Sequence, residues 1–422
     1  MRNLAVLSVH SCPLAALGGK ETGGMNVYVR ELSRQLGRLG IQVDVFTRSQ
    51  NPHICRVVPM GRNARVIHVK AGPEEPVPKK KLFDYLPEFT SGVLQFARER
   101  RVEYDLVHSH YWLSGWVGSR LKEQWSVPLV HMFHTLGTLK NFVLRGKKEK
   151  EPAKRLLIER RIMSFADGLI APSPWEREQM ILQNAPSSKI QVIPCGVDLG
   201  LFKPIPSSRA KKFLGLSRRD FILYVGRIDA VKGIDVLIRA FHHLSRTPLK
   251  GSQELGLIII GGELDANGQE KSEELKSLRK LVTKMNLQER VAFWGSQRQD
   301  FLPYFYSAAH ALVLPSRYES FGMVALEAMA SGTPVIASRV GGLQYTVEDE
   351  QSGLLFPEGD WVMLSESIRE VIENRHLKER LVKAALARVK QYNWPRIAKE
   401  ILSLYQSLEK KNPEFRGQNE RL

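Results

Sequence analysis

Hydrophobic and polar positions along this chain fall into a repeating alternation. Short, mostly apolar runs at 4–9, 66–69, 129–132, 168–171 and 190–193 have the length of strands buried on both faces, and 105–108, with Leu106 and Val107 at its centre, reads as another strand. Between several of them the apolar positions take a helical period, as at Val29, Leu32, Leu36 and Leu39 within 27–39, which Gly40 ends before a strand resumes at 43–46. Further helices are expected over 89–100, up to 125, over 154–165 and over 174–182. A linker follows, carrying Pro194, Pro204 and Pro206, and then the alternation restarts. Strand 221–225 leads to helix 234–245, and strands at 257–260, 291–294, 310–314, 335–337 and 354–356 follow with helices between. Strands alternating with helices predict an α/β fold with mostly parallel, doubly wound sheets. Two such runs predict two Rossmann-like domains, 1–196 and 197–394, facing each other across a cleft at the carboxyl ends of their strands.

Composition narrows the picture. A chain of 422 residues is long enough for two cores. No apolar run approaches the ~20 residues of a membrane span, and the run at 4–9 is too short for a secretory signal, so a cytoplasmic protein is expected. Cys12, Cys55 and Cys195 are scattered, which indicates neither a disulfide framework nor a zinc site, and no metal site is expected. A net charge of +18, densest at Lys79, Lys80, Lys81 and over 145–155, attracts anionic partners: phosphorylated metabolites, acidic lipid or nucleic acid. Nucleic acid ranks last because no helix-turn-helix, zinc-finger or aromatic RNA-binding signature accompanies the charge. Peripheral membrane contact and homodimer formation stay open.

Three stretches carry candidate chemistry. In 316–335 a strand gives way to a loop holding Glu319, then to a helix of strong helix formers that Gly332 and Pro334 stop. Glu327 lies eight residues after Glu319, which at 3.6 residues per turn keeps both carboxylates near one side. Arg227 and Lys232 sit five residues apart after the first strand of the second half, two cations placed to neutralise a pyrophosphate. Gly23 and Gly24 open the first helix, where a backbone can approach a phosphate closely, although the spacing is not the G-x-G-x-x-G of dinucleotide sites. Taken singly, each has an ordinary reading as a capping acid, a surface turn or a tight turn.

Together, Glu319 to Glu327 resemble the E-x7-E signature of the retaining glycosyltransferases of the GT-B fold known as glycosyltransferases group 1, and the Gly-Arg and Lys-Gly pairing at 226–233 matches that family. In the first half, Gly23-Gly24-Met25-Asn26-Val27-Tyr28-Val29, His108 to Gly115 and His134-Thr135-Leu136 resemble the D-inositol 3-phosphate glycosyltransferases of mycothiol synthesis, within the same family as sucrose-phosphate synthases. That resemblance covers nearly the whole chain. It implies that Glu327 holds the nucleotide ribose, that Glu319 with Phe321 and Gly322 holds the donor sugar, and that Gly24, Arg227 and Lys232 hold the donor phosphates. His134 contacts the sugar and completes the catalytic set with Arg227, Lys232 and Glu319. His10 and the loop Glu21, Thr22, Gly23, Gly24, Met25 and Asn26 face the acceptor, whose phosphate Lys79, Tyr111, Thr135 and Arg155 grip. A last helix, 395–410, returns to pack on the first domain. The implied activity is transfer of N-acetylglucosamine or glucose from a UDP-sugar to a phosphorylated polyol or sugar such as inositol 3-phosphate. No cofactor is required, and magnesium is admitted but not essential. Sucrose-phosphate synthase-like and phosphatidylinositol mannosyltransferase-like activities are the alternatives. A nucleotide-sugar binder without catalysis would need a damaged motif, and neither motif is damaged. Glu21, where those enzymes carry aspartate, the loop Ala15-Ala16-Leu17 and a basic insertion at 146–150 depart from the pattern and bear on the acceptor.

Overall fold

The computed structural model describes residues 1–16, 22–144, 150–217, 220–246, 249, 255–262 and 272–411. Two sheets organise them. The first contains β1 (Asn3–Leu7), β2 (Gln42–Arg48), β3 (Val57–Gly61), β4 (Ala64–Val69), β5 (Leu106–His110), β6 (Leu129–Met132), β7 (Gly168–Ala171) and β8 (Ile190–Val192) in the order β3-β4-β2-β1-β5-β6-β7-β8. The second contains β9 (Asp220–Val225), β10 (Leu255–Ile260), β11 (Val291–Phe293), β12 (Leu312–Leu314), β13 (Val335–Ser338) and β14 (Leu354–Phe356) in the order β11-β10-β9-β12-β13-β14. All pairs are parallel except β3 with β4. The order reverses between β1 and β5 and again between β9 and β12, and such switch points open a crevice at the carboxyl ends of the strands.

The sequence pattern misses β3, and the reason is physical. This edge strand buries only Met60 and carries an exposed Pro59, which a central strand could not accommodate, so it lacks the apolar run of its neighbours. A short helix, Gly137–Val143, also stands between the strand expected at 129–132 and the helix expected over 154–165, where the pattern predicts none.

Two chain crossings join the lobes side by side. The Val197 N–H donates to the Tyr392 carbonyl at 2.7 Å, and any side chain at position 196 would put its Cβ 2.5 Å from the ring of Trp394, so glycine is required there. Beyond Trp394, which is 2 % exposed, the helix Trp394–Lys411 runs back to the first sheet. There Tyr405 Oη lies 2.6 Å from His108 Nδ1, and the Met1 amino group pairs with Glu409 at 3.2 Å. One apolar cluster is therefore continuous from Val6 and Tyr28 through Trp394 to Phe321 and Ala325, tying both lobes to one core.

Candidate active site

The carboxyl ends of β9 and β12 and the N-terminus of the helix Gly24–Arg38 meet at one cleft. Its walls include Gly23, Gly24, Arg227, Lys232, Glu319 and Glu327, so the structure brings the widely separated sequence candidates to a single hollow. The Lys232 ammonium lies 2.6 Å from a Glu319 carboxylate oxygen, with both side chains about four-fifths buried (17 % and 22 % exposed). Backbone geometry sets that loop: Gly233 and Gly322 have φ of 63° and 90°, each at the entrance of a helix, where a Cβ would collide with Pro315 O or Leu343. Tyr224 fixes the other cation's loop by donating from its hydroxyl to the Arg227 carbonyl at 2.9 Å. The two lobes touch directly across the cleft, because a Cβ on Gly23 would sit 3.5 Å from the Arg227 side chain and one on Gly24 3.5 Å from Met323 Sδ.

Glu327 is 7 % exposed. One carboxylate oxygen accepts from the Tyr306 hydroxyl at 2.8 Å and the other from Gln299 Nε2 at 3.4 Å. Burial outweighs these donors and pushes the carboxyl up to about 7. Neither Tyr306 nor Gln299 stands out in the sequence, where the first reads as a core aromatic and the second as a surface amide.

The acceptor-side candidates form a second cluster. Tyr111 is its centre, with Lys79 Nζ 4.4 Å and the Arg155 guanidinium 4.6 Å from its ring centroid and the His10 ring 4.5 Å away. Lys79, rather than Lys80 or Lys81, lines the cleft; the other two are exposed. Thr22, Met25, Asn26 and Thr135 also line it. Arg155 stands behind this wall, 1 % exposed, and donates to Glu159 at 2.6 Å, to the Tyr111 hydroxyl at 2.8 Å and to the Thr135 carbonyl at 2.7 Å. Asn26 is equally committed, since its amide donates to Ser11 Oγ and the Cys12 carbonyl and accepts from the Gly23 N–H. Glu21 and the basic stretch 146–149 lie outside the described residues.

His134 lines the cleft in the left-handed region, at φ 60°, as does Tyr111 at φ 72°. For non-glycine residues this costs of order 1–3 kcal/mol, sustained by the surroundings. The His134 carbonyl accepts from the Ser320 hydroxyl at 2.7 Å and the Leu136 N–H donates to the Tyr318 hydroxyl at 3.2 Å, so the loop carrying Glu319 is hydrogen-bonded to the loop carrying His134. Behind it His134 Nε2 lies 3.0 Å from His110 Nδ1, and the His108 ring lies beyond, tilted at 49° with its centroid 4.1 Å from that of His110. Burial drives His108 and His134 down to about 3, and both rings are held neutral at ordinary pH. The ring-nitrogen NMR signals of His108 and His134 are expected not to move between pH 5 and 8; a midpoint near 6.5 in either would contradict this burial.

Two doubly wound lobes, hinged by paired crossings and enclosing a cation-and-carboxylate cleft, define a GT-B glycosyltransferase. The chain belongs to this family: residues 22–201 match the model of Glycosyltransferase Family 4 and residues 208–388 that of Glycosyl transferases group 1. It is 38 % identical over 411 residues to a D-inositol 3-phosphate glycosyltransferase of Actinosynnema mirum, covering 96 % of this chain and 97 % of that protein. Among solved structures, a sucrose-phosphate synthase from Thermosynechococcus elongatus is 37 % identical with a TM-score of 0.87, covering 97 % of this chain and 99 % of that one. Anabaena HepE in complex with UDP-glucose shares the fold at 21 % identity and a TM-score of 0.75, covering 97 % of this chain and all of that one. Among the described residues no helix is long and apolar enough to cross a membrane, and no cluster of three or more His, Cys, Asp or Glu is spaced to hold a metal.

Proposed function

We propose that this protein transfers a hexose from a UDP-sugar to a phosphorylated polyol or sugar, with inositol 3-phosphate as the first candidate, and that the anomeric configuration is retained. The observation that carries the reading is the convergence of Arg227, the Lys232–Glu319 pair, Glu327 and the Gly23–Gly24 helix entrance on one cleft. In this reading the pyrophosphate lies between the helix entrance and the two cations, the ribose on Glu327, and the sugar against Glu319 and His134. The glycosidic C–O bond breaks with its electron pair moving onto the β-phosphate, where Arg227 and Lys232 stabilise the growing charge. The acceptor hydroxyl attacks on the same face and passes its proton to that departing phosphate. No metal is needed in this scheme, because two cations already face the leaving group. The lobes divide at 196/197, with helix 395–410 assigned to the first, and act in the cytoplasm.

The acceptor's phosphate is assigned to the Lys79 and Tyr111 cluster beside His10 and Thr135. The likeness to a sucrose-phosphate synthase gives fructose 6-phosphate as the second reading, since the same cluster suits either phosphate. Incubation with UDP-N-acetylglucosamine, UDP-glucose or GDP-mannose against inositol 3-phosphate and fructose 6-phosphate, with mass and NMR detection of the product, tests both. An α-linked product from a UDP-sugar is expected. A β-linked product, or nucleotide-sugar hydrolysis alone, would overturn the reading.

Glu327 adds a pH dependence. The ionised form accepts two ribose hydroxyls, and it is populated above its raised value of about 7. Affinity for UDP is therefore expected to weaken several-fold as pH falls from 8 to 6. Calorimetric titration at the two pH values checks it, and equal affinity at both would remove Glu327 from the ribose site.

A further inference from the structure

The helix Gly24–Arg38 places a guanidinium, Arg30, on the opposite lobe from Glu327, yet the two are joined through one amide. Arg30 Nη2 donates to Gln299 Oε1, and Gln299 Nε2 in turn reaches Glu327 Oε1 at 3.4 Å. Arg30 is itself held by Glu31 at 2.8 Å, and Glu31 also pairs with Arg34 at 3.0 Å. Gln299 lies in the turn after β11 and lines the cleft.

An amide side chain can usually present either end, but an arginine carries donors only. With Arg30 on one side, the Gln299 oxygen must face the first lobe, so its NH2 must face Glu327. We propose that Gln299 is a positioning residue for nucleotide recognition, which Arg30 of the facing lobe orients so that an N–H is aimed at the Glu327 carboxylate. This rests on the reading of Glu327 as the ribose ligand and extends it: the ribose site is complete only when the two lobes are together. Tyr306, which belongs to the same lobe as Glu327, supplies the donor that does not depend on closure. Ribose recognition and lobe closure are thereby coupled through the Gln299 side chain.

The decisive variant is Gln299→Glu. Its carboxylate still accepts from Arg30, and as an ion pair, so mere adhesion between the lobes is kept. It has no donor for Glu327 and sets a second carboxylate beside it. Calorimetric titration with UDP should show Gln299→Glu at least about tenfold weaker than wild type with an unchanged thermal midpoint. Gln299→Met and Arg30→Ala should each weaken binding about five- to tenfold, and the double variant Arg30→Ala/Gln299→Met no further than Gln299→Met, because both act through the same amide. UDP affinity of Gln299→Glu within twofold of wild type would overturn the proposal, as would losses from Arg30→Ala and Gln299→Met that multiply. Glu327→Ala separates the two layers. If it loses affinity while Gln299→Glu does not, only the positioning role falls; if Glu327→Ala binds UDP normally, the ribose assignment falls and the positioning role with it. If UDP does not bind the wild type, GDP and ADP are titrated in its place, and binding of none of the three overturns both.

Discussion

Lys232→Ala is expected to lower kcat by two to three orders of magnitude while leaving the protein folded. The ammonium lies in the loop after β9, 17 % exposed, and pairs with Glu319 at 2.6 Å. Its proposed task is to meet negative charge as it develops on the leaving diphosphate, an interaction stronger in the transition state than in the ground state. Loss of one such preorganised donor typically costs about 10²–10³ in rate. The stability change should be small because Lys232 closes a surface-lined cleft rather than a core. Single-turnover rates with a saturating nucleotide sugar and the thermal midpoint are the two readouts. A kcat within fivefold of wild type would remove Lys232 from the chemistry.

Arg155→Met should show the opposite balance, with a large loss of stability. Arg155 is 1 % exposed, and Glu159, which it contacts at 2.6 Å, is equally buried. Removing the guanidinium takes the cation from both Glu159 and Glu151, leaves Glu159 with the Gly137 N–H at 2.9 Å, and leaves the Tyr111 hydroxyl and the Thr135 carbonyl without this donor. Breaking a buried pair from one side costs about 3–5 kcal/mol, whereas replacing both charges by apolar groups is often near neutral. Urea denaturation should therefore show a loss of that size for Arg155→Met, with much of it recovered in Arg155→Met/Glu159→Leu. A loss below about 1 kcal/mol in the single variant would mean that the pair is not the keystone of this wall. Arg155 is buried behind the cleft wall, and its donors reach Tyr111 and Thr135, which line the cleft together with Lys79.

The fold was legible in the sequence because a strand buried on both faces must be apolar at nearly every position and a helix packed on it must be apolar at every third or fourth. β3 escaped because an edge strand with Pro59 obeys neither rule. The site was legible where its residues cluster locally, as in 226–233 and 316–335. It was not legible where partners are brought together only by the fold. Tyr306 reaches Glu327 from another helix, Gln299 from a turn, and Arg30 from the other lobe. Nor does composition distinguish Lys79 from Lys80 and Lys81; the short 3-10 helix Lys79–Tyr85 turns the first toward Tyr111 and the other two to solvent. The left-handed backbone at Tyr111 likewise leaves no trace in residue identity, because tyrosine does not favour it.

Crystallography of the protein with a bound UDP-sugar bears most directly on the central claim, that cations and carboxylates from the second lobe grip one activated sugar against the first. The pyrophosphate should lie within about 3 Å of Lys232 Nζ and of the first-turn N–H groups after Gly23, with the ribose hydroxyls on Glu327. A pyrophosphate bound away from Lys232, with Glu327 making no contact to the nucleotide, would contradict it.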